Sequence, residues 1–458
     1  MALEPHNLTT SKPETLSSCY RDLSSLGVPI IIGQIGTIVM SFADTLMIGH
    51  HSTLELAAAS FVNNMFVLVI IMALGYSYSI TPVVGSQYGI NDYRGIGQTL
   101  KNGVVANLGI SVVLIGAMTL LYLNIARLGL PSELIPLMRP YFLVQLVSLP
   151  FVCFANAFKQ FFDGITDTQT SMWILLTGNV VNIVGNWMLI YGNLGMPELG
   201  LLGAGISTCF ARLLVAVAFA VFFLRSSRCL CYRGAWLKGK IKFSELRKLN
   251  ALGLPLSVQM GLETGAFSLS GILVGWIGTT ALAAHQIMLT VSQLGFMVYY
   301  GFGAAVAIKV SMSKGRQAFD EARRYAHAGF HLALMVASAV SLPLFLFRNS
   351  LGLLFTDDAE VCGQVAVLLL PFVLYQIGDC LQCVYSNGLR GLTVVKPLVP
   401  VAFVAYFVIS LPLGYLLGIK LGMGLEGVWL AFPAGLTTAG IAYLACFVCN
   451  VRGLSKKM

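Results

Sequence analysis

Three carboxylates stand where an apolar chain has no ordinary use for them. Asp44, Glu263 and Asp379 each fall inside a long hydrophobic run, and Glu263 lies far from either end of its own. A helix that begins near Leu252 rises about 1.5 Å per residue, so Glu263 stands about 16 Å along it, close to the middle of a bilayer core about 30 Å thick. An ionised side chain at that depth costs about 2.5 to 3.5 kcal/mol even on lenient insertion scales, so such residues usually face a cavity, find a partner, or bind a cation or proton. Only Arg212 and Lys309 are on hand as intramembrane basic partners. Tyr375 precedes Asp379 by four residues and shares its helix face, which sets a phenol beside a carboxylate where a cation can bind or a proton can move. Gln34, Gln259, Gln286 and Tyr299 are candidates to line a cleft, and Asn179, Asn182, Asn186 and Tyr300 also fall inside apolar runs. Several of these are expected to be glue between helices, the commoner fate of polar groups in a bundle. Aromatic rings beside a buried acid suit a flat organic cation.

The elements that must position these residues are membrane helices. With 57% hydrophobic and 10% charged residues, the 458-residue chain has more apolar side chain than a soluble core can hide. Forty-seven glycines and sixteen prolines suit a polytopic bundle, in which small residues allow close helix approach and breakers are tolerated. The first 22 residues are polar and lack the apolar core of a cleavable signal peptide, so the first apolar run is expected to remain as a span. Runs long enough to cross a bilayer fall at about 26–48, 56–84, 102–124, 138–160, 171–191 and 201–224, and again at about 252–277, 286–310, 326–347, 361–387, 398–419 and 427–449.

Two sets of six match an internal repeat. A shift of 226 positions lays Gly253 on Gly27, Pro255 on Pro29, Gly275 on Gly49, Leu282-Ala283-Ala284 on Leu56-Ala57-Ala58, Gly301 on Gly75 and Gly315 on Gly89. The chain reads as two copies of one unit, residues 1–225 and 250–458, joined by a basic linker at 226–249. Units with an even number of spans start on the same side, so an axis along the membrane normal should relate them, as in transporters that alternate access between two repeats. The linker is either a tether that lets the lobes tilt or a plain connection. With both termini in the cytoplasm, 23 of the 28 lysines and arginines fall in inner segments, which fixes the topology by the positive-inside rule. The net charge of +9 then faces anionic lipid headgroups, and no nucleic acid is needed as partner. The sequon Asn7-Leu8-Thr9 lies in a tail expected in the cytoplasm and is read as coincidence.

Enzymatic signatures are missing: the chain has no Walker loop, no His-Glu-x-x-His pair and no nucleophile elbow. The ten cysteines form no metal-type cluster, and Cys380 with Cys383 reads as apolar filling. His327 and His331 share a helix face with no carboxylate beside them, so surface exposure is expected before metal binding.

The motifs Ser41-Phe42-Ala43-Asp44-Thr45-Leu46-Met47-Ile48-Gly49-His50, Val84-Gly85-Ser86-Gln87-Tyr88-Gly89, Leu252-Gly253-Leu254-Pro255, Gly278-Thr279-Thr280-Ala281-Leu282-Ala283-Ala284-His285-Gln286-Ile287 and Gly388-Leu389-Arg390-Gly391 resemble those of the multidrug and toxic compound extrusion transporters, in their NorM-like branch. The resemblance spans about Leu23 to Val448. It implies an all-α membrane fold of twelve transmembrane helices, in two six-helix bundles related by pseudo-twofold symmetry and forming a V around a central cleft. It also implies secondary active efflux of organic cations by antiport with sodium or protons, without an enzymatic reaction or a cofactor. Carried over residue by residue, Asp44 matches the first-span aspartate, Glu263 the seventh-span glutamate, and Tyr375 and Asp379 the tenth-span pair of the cation site; sodium, where it is the ion, is expected at Glu263 and Asp379. A monomer in the inner (plasma) membrane is expected, in contact with membrane lipid. The alternative is a lipid-linked glycan or lipid flippase of related architecture, which should carry a more cationic cleft. Two departures stand out: Lys309 where the first repeat has Val83, and Thr393-Val394-Val395-Lys396 after Gly391, where more polar residues are expected.

Overall fold

The computed structural model describes residues 15–127, 131 and 133–456, so the sequon, Lys12 and Lys457 lie outside the described residues. The described residues form helices and turns with no strand. The first half consists of α1 (Leu16–His51), α2 (Thr53–Ser77), α3 (Ile80–Gly89), α4 (Tyr93–Leu123), α5 (Ile135–Gly164), α6 (Thr168–Tyr191) and α7 (Gly200–Arg225). The short α8 (Leu230–Lys238) lies in the linker. The second half holds α9 (Phe243–Gly275), α10 (Thr279–Gly315), α11 (Phe319–Leu346), the single turn α12 (Arg348–Leu351), α13 (Ala359–Gly391), α14 (Leu398–Phe403), α15 (Leu411–Tyr415) and α16 (Gly424–Ser455). Local chemistry sets several of the starts. Asp92 accepts from the Gly95 amide at 2.8 Å to cap α4, and Asp358 caps α13 by accepting from the amides of Glu360 and Val361.

Among the described residues, eleven spans are long and apolar enough to cross a membrane, with α2 and α3 counted as one span and α14 to Lys420 as another. The twelfth, α9, has the length but is more polar, because Gln259, Glu263 and Thr264 sit in its middle and Glu245, Arg247 and Lys248 at its start. Two spans are irregular. The break between α2 and α3 falls at Tyr78 and Ser79, and Pro82 explains it: a proline there has no N–H for the Tyr78 carbonyl and its ring crowds that oxygen. The equivalent position in the second repeat is Ile308, and α10 runs unbroken for 37 residues. In the eleventh span, Val404–Ser410 and Leu416–Lys420 are π-helical, flanking a proline, Pro412, that has no N–H to donate to the preceding turn.

The six spans of each half pack into one bundle, and the two bundles meet mainly where α1 and α3 lie against α10 and where α2 lies against α9. Cys19, Leu23, Phe447 and Val451 share one buried cluster, so both ends of the described chain lie on one side, here called the terminal side. The repeat glycines form the seam between the lobes. A β-carbon on Gly75 would stand 2.9 Å from the Leu256 carbonyl oxygen, and one on Gly253 would stand 2.9 Å from that of Tyr76. The pattern is reciprocal: Gly89 meets the Met312 carbonyl while Gly315 meets that of Ser86, and position 312 is 86 shifted by the repeat. The glycines of the seam reach from Gly89 and Gly315 up to Gly261, which meets Met72; further along α9, Gly265 and Gly275 have open space around them. The lobes therefore touch on the terminal side and part towards the other, giving the V.

Polar contacts across the seam do not follow the symmetry. Lys309 on α10 forms an ion pair with Asp22 on α1, the Tyr325 hydroxyl on α11 donates to the same carboxylate oxygen at 2.9 Å, and the Lys309 ammonium lies 5.2 Å from the Tyr325 ring centre. The repeat equivalents of Asp22 and Lys309 are Lys248 and Val83, which form no such pair. The departure at Lys309 is therefore a clasp between lobes. A part-buried pair of this kind contributes about 0.5–1 kcal/mol. Lys309→Met should consequently weaken closure of the terminal side modestly, and the exchange Asp22→Lys with Lys309→Asp should restore it; a double-mutant cycle on cross-linking yield between the lobes measures this, with additive effects as the contrary result.

The linker is not slack. Lys101 donates to the Gly239 carbonyl at 2.7 Å, Gln98 donates to that of Lys240, and the Lys242 amide donates to Asn102 Oδ1 at 2.9 Å, so the segment is fastened to α4 of the first lobe. Two of the bases that the charge count assigns to inner segments sit within the protein: Arg390 is buried, and Lys159 is part-buried and paired with Asp163 at 2.8 Å. The histidine pair is engaged between helices: the Tyr385 hydroxyl bonds His327 Nδ1 at 2.9 Å and that of Tyr20 bonds His331 Nδ1 at 3.1 Å.

Candidate functional site

The second lobe gathers most of the sequence candidates. Asp379 sits in the middle of α13, one turn after Tyr375, and only 1% of its surface is exposed. The Tyr375 phenol lies against its carboxylate, and Ser292 of α10 lies against that phenol. Glu263 enters from α9 close enough for its charge to act on Asp379. Beside the Glu263 carboxylate are Gln382, one turn beyond Asp379 on α13, and Tyr406, from the π-helical stretch of the eleventh span. A π turn carries an extra residue, which re-aims the side chains after it, and such turns recur at functional sites.

Oxygen atoms in this cluster are short of partners. Asp379 Oδ2, Gln382 Oε1 and the Tyr406 hydroxyl are buried with no hydrogen-bond partner, and so is Oε1 of Gln259, one turn before Glu263 on α9. Neither Glu263 nor Asp379 forms a salt bridge with a basic residue among the described residues. A buried acceptor without a donor costs about 1–3 kcal/mol, and more when charged. Two carboxylates with amide and phenol oxygens around them are what a small hard cation requires, and a proton satisfies the same groups.

Aromatic rings wall this region. Tyr375 lies within 6.5 Å, centre to centre, of Phe267, Phe372, Trp429 and Phe432, and Phe267 lies 6.3 Å from Tyr406. Ala266, Phe267, Tyr406, Ser410, Leu411 and Phe432 line a small cavity there. Tyr299 is buried on α10 and donates to Gln376 Oε1.

The other candidates lie apart. Asp44 belongs to a network in the first lobe: Asn186 Nδ2 donates to it at 2.5 Å, and Tyr141 and Arg212 lie nearby. Arg212 is held by Gln145 Oε1 at 2.7 Å and Ser148 Oγ at 2.6 Å and forms no salt bridge with Asp44. Gln34 lines a second small cavity, in the first lobe, with the part-buried ion pair Lys159–Asp163. Gln286 is exposed on α10. Among the polar residues read as glue, Asn182 does join helices, donating to Thr208 Oγ1 at 3.1 Å. Sequence reasoning missed Gln382, Tyr406 and the burial of Arg390. Gln382 was findable as the third residue after Asp379 on a shared face, whereas nothing in the apolar run around Tyr406 distinguishes its phenol.

The MatE family profile matches residues 29–188 and 255–416, two segments that begin 226 positions apart, as the repeat does. The chain is 30% identical over 439 residues to a probable multidrug resistance protein NorM of Geobacillus kaustophilus, covering 94% of this chain and 95% of that one. It is 29% identical over 432 residues to the multidrug resistance protein MdtK of Proteus mirabilis, covering 92% and 93%. Its fold is similar to the eukaryotic MATE transporter AtDTX14, with a TM-score of 0.85 at 18% identity over 96% of this chain and 99% of that one. It is also similar to an outward-facing multidrug resistance MATE family transporter, with a TM-score of 0.86 at 19% identity over 98% and 100%. The repeat, the twelve helices in two lobes and the match over both halves together show that this chain belongs to the MatE family, the multidrug and toxic compound extrusion transporters.

Proposed function

We propose that this chain is a secondary active efflux transporter that exports organic cations in exchange for sodium ions or protons, with Glu263 and Asp379 as the coupling site and Tyr375, Gln382 and Tyr406 as their neighbours. The observation that carries this reading is a pair of intramembrane carboxylates without a salt-bridge partner, with Asp379 Oδ2, Gln382 Oε1 and Gln259 Oε1 buried and lacking hydrogen-bond partners. The names of the relatives at about 30% identity support the multidrug part of it. Asp44, already bonded by Asn186, is a second cation-binding residue in the opposite lobe.

The protein acts as a monomer in the plasma membrane. Its lobes are residues 1–225 and 250–458, joined through 226–249. The charge bias supports a cytoplasmic terminal side, with the V opening outwards. In this state an ion from outside reaches Glu263 and Asp379 and weakens the hold on the drug, which leaves. A tenfold ion gradient supplies about 1.4 kcal/mol, enough to sustain a tenfold drug gradient. One monovalent ion exchanged for one monovalent drug moves no net charge; a second ion would add about 2.3 kcal/mol per 100 mV.

Purified protein in liposomes, loaded with ethidium and given a sodium gradient or a proton gradient separately, tests the reading. Efflux driven by one of the two gradients is the expected result, and dye movement indifferent to both would refute antiport.

A further inference from the structure

Arg390 is buried near the terminal-side end of α13, 5% exposed, and no carboxylate pairs with it among the described residues. Its Nη1 donates to Asn387 Oδ1 at 3.0 Å, its Nε has no partner, and its guanidinium carbon lies 4.4 Å from the ring centre of Tyr78. That ring belongs to the other lobe, at the break between α2 and α3, and its hydroxyl accepts from Tyr300 of α10 at 2.6 Å. Arg390 also feels the charge of Glu263, and it lies on the same helix as Asp379, eleven residues or about 16 Å along. One guanidinium is thus shared between Glu263 of its own lobe and an aromatic face of the opposite lobe.

We propose that Arg390 is the positioning residue that reports cation occupancy of the Glu263–Asp379 cluster to the lobe seam through its contact with the Tyr78 ring. The two attractions compete for one charge. A cation bound at Glu263 and Asp379 offsets the pull of Glu263 on Arg390 and leaves the Tyr78 ring as its favoured partner, so ion binding holds the terminal side closed while drug leaves on the other side. The break at Tyr78 suits this role, because the residue stands between two rigid helices and not within one. The repeat equivalent of Tyr78 is Ala304, so only one side of the seam carries the device. The inference rests on the cation-site reading above.

The test uses the full chain in liposomes, with its cysteines replaced and spin labels at Ile90 and Asp320, exposed residues on terminal-side turns of the two lobes. Cation binding is measured in parallel on the same variants. In the parent protein, adding the coupling ion should raise the short-distance population about fivefold or more, the lower range of typical site-to-site coupling. Arg390→Gln and Tyr78→Leu should lose that response while still binding the ion. Arg390→Lys should restore part of it, and Tyr78→Phe, which keeps the ring, should retain it. A full response in Arg390→Gln or Tyr78→Leu would overturn the proposal, as would equal loss in Tyr78→Phe and Tyr78→Leu, which would assign the effect to the hydroxyl. If Glu263→Gln and Asp379→Asn bind the ion as the parent does, the cation-site reading fails first and this proposal with it; intact ion binding with no seam response in the parent protein itself defeats the proposal alone.

Discussion

Glu263→Gln and Asp379→Asn should each reduce ion-driven efflux to the level of protein-free liposomes while leaving the protein folded and inserted. Both changes preserve side-chain volume and remove only the charge, so the helices keep their packing. Insertion should not suffer, since a neutral amide at that depth costs less than a carboxylate. The loss should be near total because a cation held between two carboxylates and neighbouring amide and phenol oxygens has no substitute ligand of equal charge. Asp44→Asn should be milder for ion dependence, because Asp44 lies in the other lobe and already accepts from Asn186. Initial efflux rates at matched protein content measure this, and ion-driven efflux from both cluster variants at the parent rate would end the coupling-site reading.

The second large effect should come from single methyl groups. Gly315→Ala and Gly89→Ala each place a β-carbon into a backbone carbonyl of the opposing lobe, that of Ser86 or Met312, and backbone cannot swing aside as a side chain does. Overpacking of this kind typically costs about 1–3 kcal/mol. The cost falls on the closed state of the terminal side and not on either lobe alone, so the equilibrium between closed and open terminal sides should shift by about fivefold or more. Transport should fall with it, and inter-lobe cross-linking should drop. Gly109→Ala and Gly116→Ala are the controls, since a β-carbon there meets nothing within 4 Å. Equal effects in seam and control glycines would show that helix propensity, and not the seam, is what the substitutions change.

The larger features were readable because each has a signal in one dimension. Twelve runs and a 226-residue offset already contain the two bundles, and the glycines that align under that offset, Gly27, Gly75 and Gly89 with their partners, became the seam. Asp379 and Tyr375 were legible from a four-residue spacing on one helix. What the sequence hid depends on pairs far apart in the chain. Tyr406 meets Glu263 from a π-helical stretch of the eleventh span, and no apolar run announces its own pitch. Arg390 looked like one more cytoplasmic base, because the last turn of a span and the first turn of a loop have the same composition. Lys309 stood out against Val83, but only the fold supplied Asp22 as its partner. Gln286 shows the converse: a polar residue in an apolar run that the fold leaves on the surface.

Equilibrium binding of the coupling cation to purified protein tests the central claim most directly, with radioactive sodium and proton release measured on the same preparation. The account predicts a saturable site that disappears in Glu263→Gln and in Asp379→Asn and survives in Asp44→Asn. Undiminished cation binding in both cluster variants would contradict it.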